Sequence, residues 1–540
     1  MHVGGPAIFC TQKPLVAVPC LQRASLEKDL TMRQELSETV SSEPIIAPTT
    51  GQGIDPANPH ELSPNLYNQD LAPTTRQGRS WNAYSIFTLW ANDVHSLGNY
   101  AFAIGLFALG MSAGQILGAL GIGAVLLFAL LNFSGFMGEK TGVPFPVMSR
   151  IAFGINGAQI PALIRGAVAI AWFGIQTYLA SQVLSVMVIA VAPGAAGLQD
   201  SSFLGLNTLG WICFVTLWVL QLIIVSYGME MIRKYEAFAG PVILVTFLAL
   251  AIWMLIESGF SISLSTGETK TGGAMWASMF GAAALWVSIY GTFVLNFCDF
   301  TRGAQSKKSI VKGNFFGIPL NMLFFGAIVV VLTGTQFSIN GTIITSPSDV
   351  VSAIPNTFLL LLASAALLVL TIAVNLMANF VAPTYALTNL FPKKLNFRSA
   401  AMISGVIGLV ILPWNLYNSP EIINYFLGGL GALLGPLFGI IMADYWLIRK
   451  ARINVMDLYR TNPEGTYYFT RGVNYRAVGA LVISSVIALV LAFVPALHVV
   501  GSFAWFLGSG AGAIAYLALA KRQHDLADID GEPIAVAPTH

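Results

Sequence analysis

The stretch Trp90-Ala-Asn-Asp-Val-His-Ser-Leu-Gly-Asn99 decides how the chain is read. It lies inside an apolar run from Trp81 to Gly110, long enough to cross a bilayer, for which about 20 apolar residues suffice. Yet Asn92, Asp93, His95, Ser96 and Asn99 stand at its centre. An ionisable group at membrane depth costs about 2.5–3.5 kcal/mol on insertion scales, so such groups face a cavity or a partner. Gly98, in the same cluster, offers a place for the backbone to unwind. The stretch predicts a broken helix lining a binding site whose other walls come from elsewhere in the chain.

Composition agrees with a membrane setting. Hydrophobic residues make up 55% of the 540 and charged residues 10%, against about a quarter charged in soluble domains. The chain therefore reads as an all-α, multi-span membrane protein in contact with a lipid bilayer. The net charge is +2, with Lys and Arg spread among loops and no basic face for nucleic acid. Four cysteines and six histidines are dispersed without metal or disulfide-framework spacing, so no metal site and no cofactor are expected. No nucleophile–base pair and no phosphate-binding loop appears, which disfavours a membrane-embedded enzyme or a transport ATPase. A channel or facilitative uniporter for small polar solutes stays open as an alternative to a carrier. No obligate protein partner is indicated.

Residues 1–80 are polar and rich in Pro, Ser, Thr, Gln and Glu, and read as a disordered tail. Pro6, Pro14 and Pro19 interrupt any signal-peptide core, and Met32 is an alternative start. Further apolar runs over 113–136, 160–191, 207–227, 237–256, 274–297, 315–335, 356–380, 399–414, 422–447, 477–497 and 501–520 bring the total to about twelve helices. The expected organisation is a ten-helix core over 81–447, a loop over 448–476, two added helices over 477–520 and a tail over 521–540. Most basic residues, among them Arg76, Arg79, Lys140, Arg302, Lys307, Lys308, Lys393, Lys394, Arg449 and Arg476, fall in loops on the side of the N-terminus. The opposite loops hold Asp200, Glu257, Glu268, Asp349 and Glu421. By the positive-inside rule both termini are cytoplasmic.

Other spans carry polar residues at membrane depth. Trp172 and Gln176 are four apart and share a helix face, offering a ring to stack on and an amide to read a ligand's edge. The other reading makes them packing and interhelical glue. Arg165, on the turn below, reads as a snorkelling or paired structural residue. Gly291, beside Tyr290 and Thr292, allows a second break in the sixth span. Asn375 and Asn379 in the eighth span are again four apart. Gly431, Gly435 and Gly439 in the tenth allow close helix approach, while the last two spans look peripheral. Breaks five helices apart fit two five-helix repeats of inverted topology with a midplane site between them.

These motifs resemble the nucleobase–cation symport family, in its allantoin/hydantoin/purine permease branch. The resemblance runs from Asn68-Gln-Asp-Leu-Ala-Pro73 to about Leu507. Its most specific pieces are Gly142-Val-Pro-Phe-Pro146, Gly157-Ala-Gln-Ile-Pro-Ala-Leu-Ile-Arg165, Trp172-Phe-Gly-Ile-Gln176, Asn296-Phe-Cys-Asp-Phe-Thr-Arg302, Met442-Ala-Asp-Tyr-Trp446 and Gly472-Val-Asn-Tyr-Arg476. It implies a LeuT-type fold of ten core helices plus two, and uptake across the plasma membrane of a flat nitrogen heterocycle coupled to sodium or protons. It implies that aromatics of the third and sixth spans sandwich the substrate, with Trp172, Gln176, Asn379 and nearby Asn375 as ligands. Ser96 takes the first-span position, and Tyr290 stands where the family usually has tryptophan.

At the sodium-site hydroxyl positions of the family, the chain has Ala373 and Val374, which offer no side-chain oxygen. Thr371 is near but out of register. Asp93 replaces a small or neutral residue, and a desolvated aspartate can take up a proton alongside His95 and Asn92. The coupling cation is therefore expected to be a proton rather than sodium.

Overall fold

In a computed structural model of the protein, the described residues are 62–343, 349, 352, 354, 356–417 and 428–521. The expectations about a signal peptide, Met32 and most of both tails lie outside them. The helices in chain order are α1 (Ala83–Val94), α2 (Leu97–Ala108), α3 (Ala113–Thr141), α4 (Gln159–Val191), α5 (Thr208–Val225), α6 (Met229–Glu257), α7 (Gly272–Ile289) and α8 (Gly291–Asn296). They continue with α9 (Lys307–Asn340), α10 (Thr357–Leu390), α11 (Phe397–Val410), α12 (Gly428–Met442), α13 (Tyr475–Phe493) and α14 (Ala504–Leu519). Between α4 and α5 a short hairpin pairs β1 (Ser202–Phe203) with β2 (Leu206–Asn207), Ser202 opposite Asn207.

Among the described residues, 9 helices are long and apolar enough to cross a membrane. The other expected spans are shorter. The first consists of two halves of 12 residues each, the ninth is 14 residues and the last is 16.

The first span breaks where its polar cluster lies, but not at Gly98. Helix α1 starts on an Asn82 side-chain cap to the Ser85 amide, 3.0 Å, and ends at Val94. Ser96 turns extended (ψ 151°) and starts α2, a position where serine is a favoured residue type. Gly98 sits inside α2, where an added Cβ would meet nothing within 4 Å. Its role is to leave space. The sixth span breaks at Tyr290, as Gly291 suggested, and here the glycine is needed: a Cβ on Gly291 would lie 2.5 Å from the Trp505 indole nitrogen.

Trp505 belongs to α14, so the last helix packs against the sixth-span break rather than standing apart as a peripheral one. The glycines of α12 make this possible. A Cβ on Gly435 would meet the Trp505 carbonyl oxygen at 2.3 Å, and one on Gly439 the Ser509 carbonyl oxygen at 1.9 Å. Gly439→Ala should therefore push α12 and α14 apart and destabilise by about 1–3 kcal/mol. A fall in the thermal midpoint of the purified protein measures this, and an unchanged midpoint contradicts the packing.

Residues 62–80 depart from the expected disordered tail. Leu66 and Leu71 are buried. Arg150 donates to the Leu66 carbonyl at 3.0 Å, Tyr459 to that of Leu71 at 2.6 Å and Arg302 to that of Asp70 at 3.0 Å. Polar composition hid a segment held by its backbone carbonyls rather than by a run of apolar side chains.

Candidate functional site

The two helix breaks lie side by side and are joined by one side chain. Ending α1 at Val94 leaves carbonyls without intrahelical partners. Asn99 Nδ2 donates to two of them, Asp93 O at 2.9 Å and Val94 O at 3.2 Å. It also donates to the Tyr290 hydroxyl at 2.8 Å, and Asp93 lines the cavity beside that hydroxyl. Asn99 was part of the quoted stretch but had no role in the sequence reading. It staples one break to the other.

Beside this staple is a cavity of about 480 Å³, within the range that holds a small organic ligand. Asp93, Ser96 and Asn99 form one wall, Trp172 and Gln176 another, and Tyr290 and Asn379 the rest of its polar lining. Gly98, Val374, Ala378 and Gly431 supply small or apolar surface. Trp172 is partly exposed into this space. Tyr290 lines the cavity, is otherwise buried, and is braced by Trp286 and Trp90, ring centroids 5.7 and 6.2 Å away.

Hydrogen bonds fix the orientation of the Asn379 amide. Asn375 Nδ2 lies 3.1 Å from the Phe173 carbonyl oxygen, an acceptor only, so this atom must be the donor nitrogen. It also donates to Thr177 Oγ1 at 3.0 Å and Gln221 Oε1 at 2.7 Å. Asn375 Oδ1 must then accept, and it does so from Asn379 Nδ2 at 2.8 Å. Asn379 is left with its Oδ1, an acceptor, and with the second proton of its Nδ2. The amide of Gln176 bonds no other described residue, so it can donate and accept.

Four of the sequence-predicted site residues stand elsewhere. Asn375 is buried behind the wall, and its amide is committed to α4 and α5. The reason is a π turn at Leu376–Phe380, which carries Asn379 round to the cavity while Asn375 stays with the α-helical part. His95 points away from the cavity. Its ring nitrogens meet the Tyr100 hydroxyl at 3.1 Å and Asn321 Oδ1 at 3.2 Å, and its ring stacks on Phe247 at 5.6 Å. Thr371 Oγ1 donates to the Leu367 carbonyl of its own helix at 2.7 Å and does not line the cavity. Asn92 is also turned outward, toward α6, where Nδ2 donates to the backbone oxygen of Glu236 at 3.1 Å and to its carboxylate. Glu236 had no part in the sequence reading, because the fifth span was expected to begin at 237. Helix α6 begins at Met229, which places Glu236 two turns inside it.

Below the cavity, Arg165 is buried rather than snorkelling. It donates to the carbonyls of Thr292 at 3.3 Å and Ala378 at 2.9 Å, and to Asn296 Oδ1 at 3.2 Å. Asn296 donates to Asp299 at 2.7 Å, and Asp299 accepts from the Phe145 amide at 2.6 Å. Three of the sequence motifs thus meet in one lock under the cavity floor.

Comparison with known proteins places this architecture. A family model described as a permease for cytosine/purines, uracil, thiamine and allantoin matches residues 73–508. The chain belongs to this permease family. Among its relatives within the nucleobase–cation symport family, the allantoin permease of Bacillus subtilis (strain 168) is 34% identical over 466 residues, covering 85% of this chain and 94% of that one. The purine-uracil permease NCS1 of Arabidopsis thaliana is 34% identical, covering 83% and 75%. Among solved structures, Mhp1, a nucleobase-cation-symport-1 family transporter in a closed conformation with bromovinylhydantoin bound, superposes with a TM-score of 0.70 at 23% identity. That alignment covers 86% of this chain and 95% of Mhp1, and it shows the shared fold. As a member of this permease family, the protein is a multi-pass membrane transporter and not an enzyme.

Proposed function

We propose that the protein is a secondary active symporter importing a planar nitrogen heterocycle of the allantoin, hydantoin or nucleobase class by alternating access. The reading places it in the plasma membrane with both termini cytoplasmic, and couples uptake to protons. The observation that carries it is the cavity lining. A tryptophan and a tyrosine offer ring faces, Gln176 offers an unengaged amide, and Asn379 offers an acceptor of fixed orientation. A flat ring bearing N–H and C=O groups satisfies this set; a ring without an N–H leaves Asn379 Oδ1 unpaired, at a cost of about 1–3 kcal/mol. The names of the relatives, allantoin permease and purine-uracil permease, are of this chemical class.

For the coupling ion, Ala373 and Val374 provide no side-chain oxygen and the Thr371 hydroxyl is turned into its own helix. Two buried carboxyl groups, Asp93 and Glu236, stand near the end of α1. This favours protons over sodium.

The test is uptake in proteoliposomes with a panel of allantoin, hydantoins, uracil, cytosine, adenine, guanine, xanthine and uric acid. Saturable counterflow of at least one member is expected, as is accumulation driven by an inward pH gradient without sodium. Flux without counterflow would indicate a channel, and strict sodium dependence would exclude proton coupling. Gln221→Leu tests the fixed acceptor from a distance. Gln221 does not line the cavity, yet its loss frees Asn375 from one partner and loosens Asn379. Affinity should fall about fivefold, corresponding to about 1 kcal/mol for one hydrogen bond, as read by equilibrium binding. Unchanged affinity would remove the relay from the account.

A further inference from the structure

We propose that Glu236 is a proton-binding site, set behind the cavity and joined through Asn92 to the end of the broken first helix. The inference rests on the proton-coupled reading above and assigns the group that takes the proton. Glu236 is 1% exposed and Asn92 is fully buried. The donor of the contact is fixed: Asn92 Nδ2 reaches the Glu236 backbone oxygen, which only accepts, so the nitrogen is correctly placed and Asn92 Oδ1 is the remaining acceptor.

That oxygen, Asn92 Oδ1, has no partner, and neither does Glu236 Oε1. Two buried acceptors without a donor between them are costly. A carboxyl proton on Glu236 is the donor that the pair lacks, and it also removes a buried negative charge. The pair therefore matches the neutral acid, and its deprotonated form requires rearrangement or water at the end of α1.

The surroundings leave few competitors for this role. Helix α6 packs against α1, α10, α9 and α5. Over 321–340, α9 carries no charged residue, and neither α10 nor α5 carries any. Cys213 of α5 is buried and uncharged as a thiol. On α6 itself, Tyr235 donates to the Val369 carbonyl at 3.2 Å, and Arg233 is paired with Glu230 at 2.5 Å. Lys234 is 4.0 Å from that same glutamate. From α1 the one neighbouring acid is Asp93, which lines the cavity beside Tyr290. Among the described residues, no cation is paired with Glu236.

Position supplies the coupling. Asn92 is two residues before the end of α1, and Asp93 next to it lines the cavity. Protonation at Glu236 sets how α1 ends, and a substrate against Asp93, Ser96 and Asn99 senses the same end. Binding and protonation then favour each other, which is the thermodynamic requirement for symport.

The experiment uses the full chain in lipid nanodiscs. Infrared difference spectra recorded as the pH is lowered should show a carboxylic-acid carbonyl band in the wild type and in Asp93→Asn. One component of the band should be lost in Glu236→Gln, whose amide nitrogen takes the place of Oε1 and can donate to Asn92 Oδ1. Asn92→Ser keeps the carboxyl but removes its partner, and should shift the pH at which that component rises. A spectrum unchanged by Glu236→Gln, a component lost in Asp93→Asn instead, or one that is indifferent to Asn92 overturns the proposal. With the heterocycle that shows counterflow, wild-type affinity should rise by up to about tenfold per unit fall in pH, while that of Glu236→Gln stays flat. Affinity that depends on sodium at fixed pH, and loses that dependence in Glu236→Gln, would make the pair a sodium site and also overturn the proposal. If no heterocycle undergoes counterflow, the symport reading fails while the infrared result still decides the proton site.

Discussion

Trp172→Ala is expected to weaken heterocycle binding by about 5- to 150-fold, the equivalent of the roughly 1–3 kcal/mol that stacking a base on an aromatic ring contributes. The indole is partly exposed into the cavity and therefore makes fewer protein contacts than the buried aromatics around it. Its loss should leave the thermal midpoint of the ligand-free protein nearly unchanged. The two measurements together separate a binding residue from a packing residue. Trp172→Phe keeps a ring face and should recover most of the affinity. Gln176→Leu should behave differently from both, because it leaves the stacking surface and removes the amide. Affinity should then fall most for heterocycles with the most polar edges, and the ranking within the panel should change. Normal transport by Trp172→Ala would mean that the cavity described above is not the binding site.

That cavity was partly legible in the sequence. A polar cluster in an apolar run announces a broken helix because membrane depth makes each of those groups costly, and the α-helical period puts Trp172 and Gln176 on one face. The same rule failed for Asn375 and Asn379, since it assumes 3.6 residues per turn, and the wider turn at Leu376–Phe380 has no sequence signature. His95 was read from its intrinsic titration range. Its actual surroundings, Tyr100, Phe247 and Asn321, come from three other segments that only the fold brings together.

The glycine rule gave the second break correctly and the first one three residues away. At Tyr290–Gly291 the neighbouring Trp505 requires a residue without Cβ, whereas at His95–Ser96 the backbone turns through conformations open to any residue. The strongest motifs turned out to serve the frame more than the pocket. Asp444 of the tenth span pairs with Arg449 at 2.7 Å and accepts from Tyr516 at 2.7 Å, while Asn474 donates to the same Tyr516 hydroxyl at 3.2 Å. Two motifs that are far apart in the chain are thereby tied to the last helix. Only the third-span motif carries side chains into the cavity.

Arg165→Leu should have the largest effect on stability of any single substitution near the site, about 3–5 kcal/mol, the range for removing one partner from a buried charged network. The guanidinium bridges three elements: α4 supplies it, the sixth span supplies Thr292 O and Asn296, and the π turn of α10 supplies Ala378 O. Its removal takes a donor from two buried carbonyls and from Asn296 Oδ1, and takes from Asp299 one of the two cations near it, the other being Arg302. Arg165→Lys should not restore stability, because one ammonium cannot reproduce a planar fork that reaches three acceptors in different directions. The thermal midpoint should therefore fall for both variants, and more for leucine. The arginine lies two helical turns below Trp172 on the same helix, so loosening it also frees the cavity floor at Thr292 and Ala378. Lysine, if it folds, should then bind heterocycle more weakly than wild type while Trp172 and Gln176 are intact. Full stability in Arg165→Leu would show that the lock is dispensable and that the floor is held by packing alone.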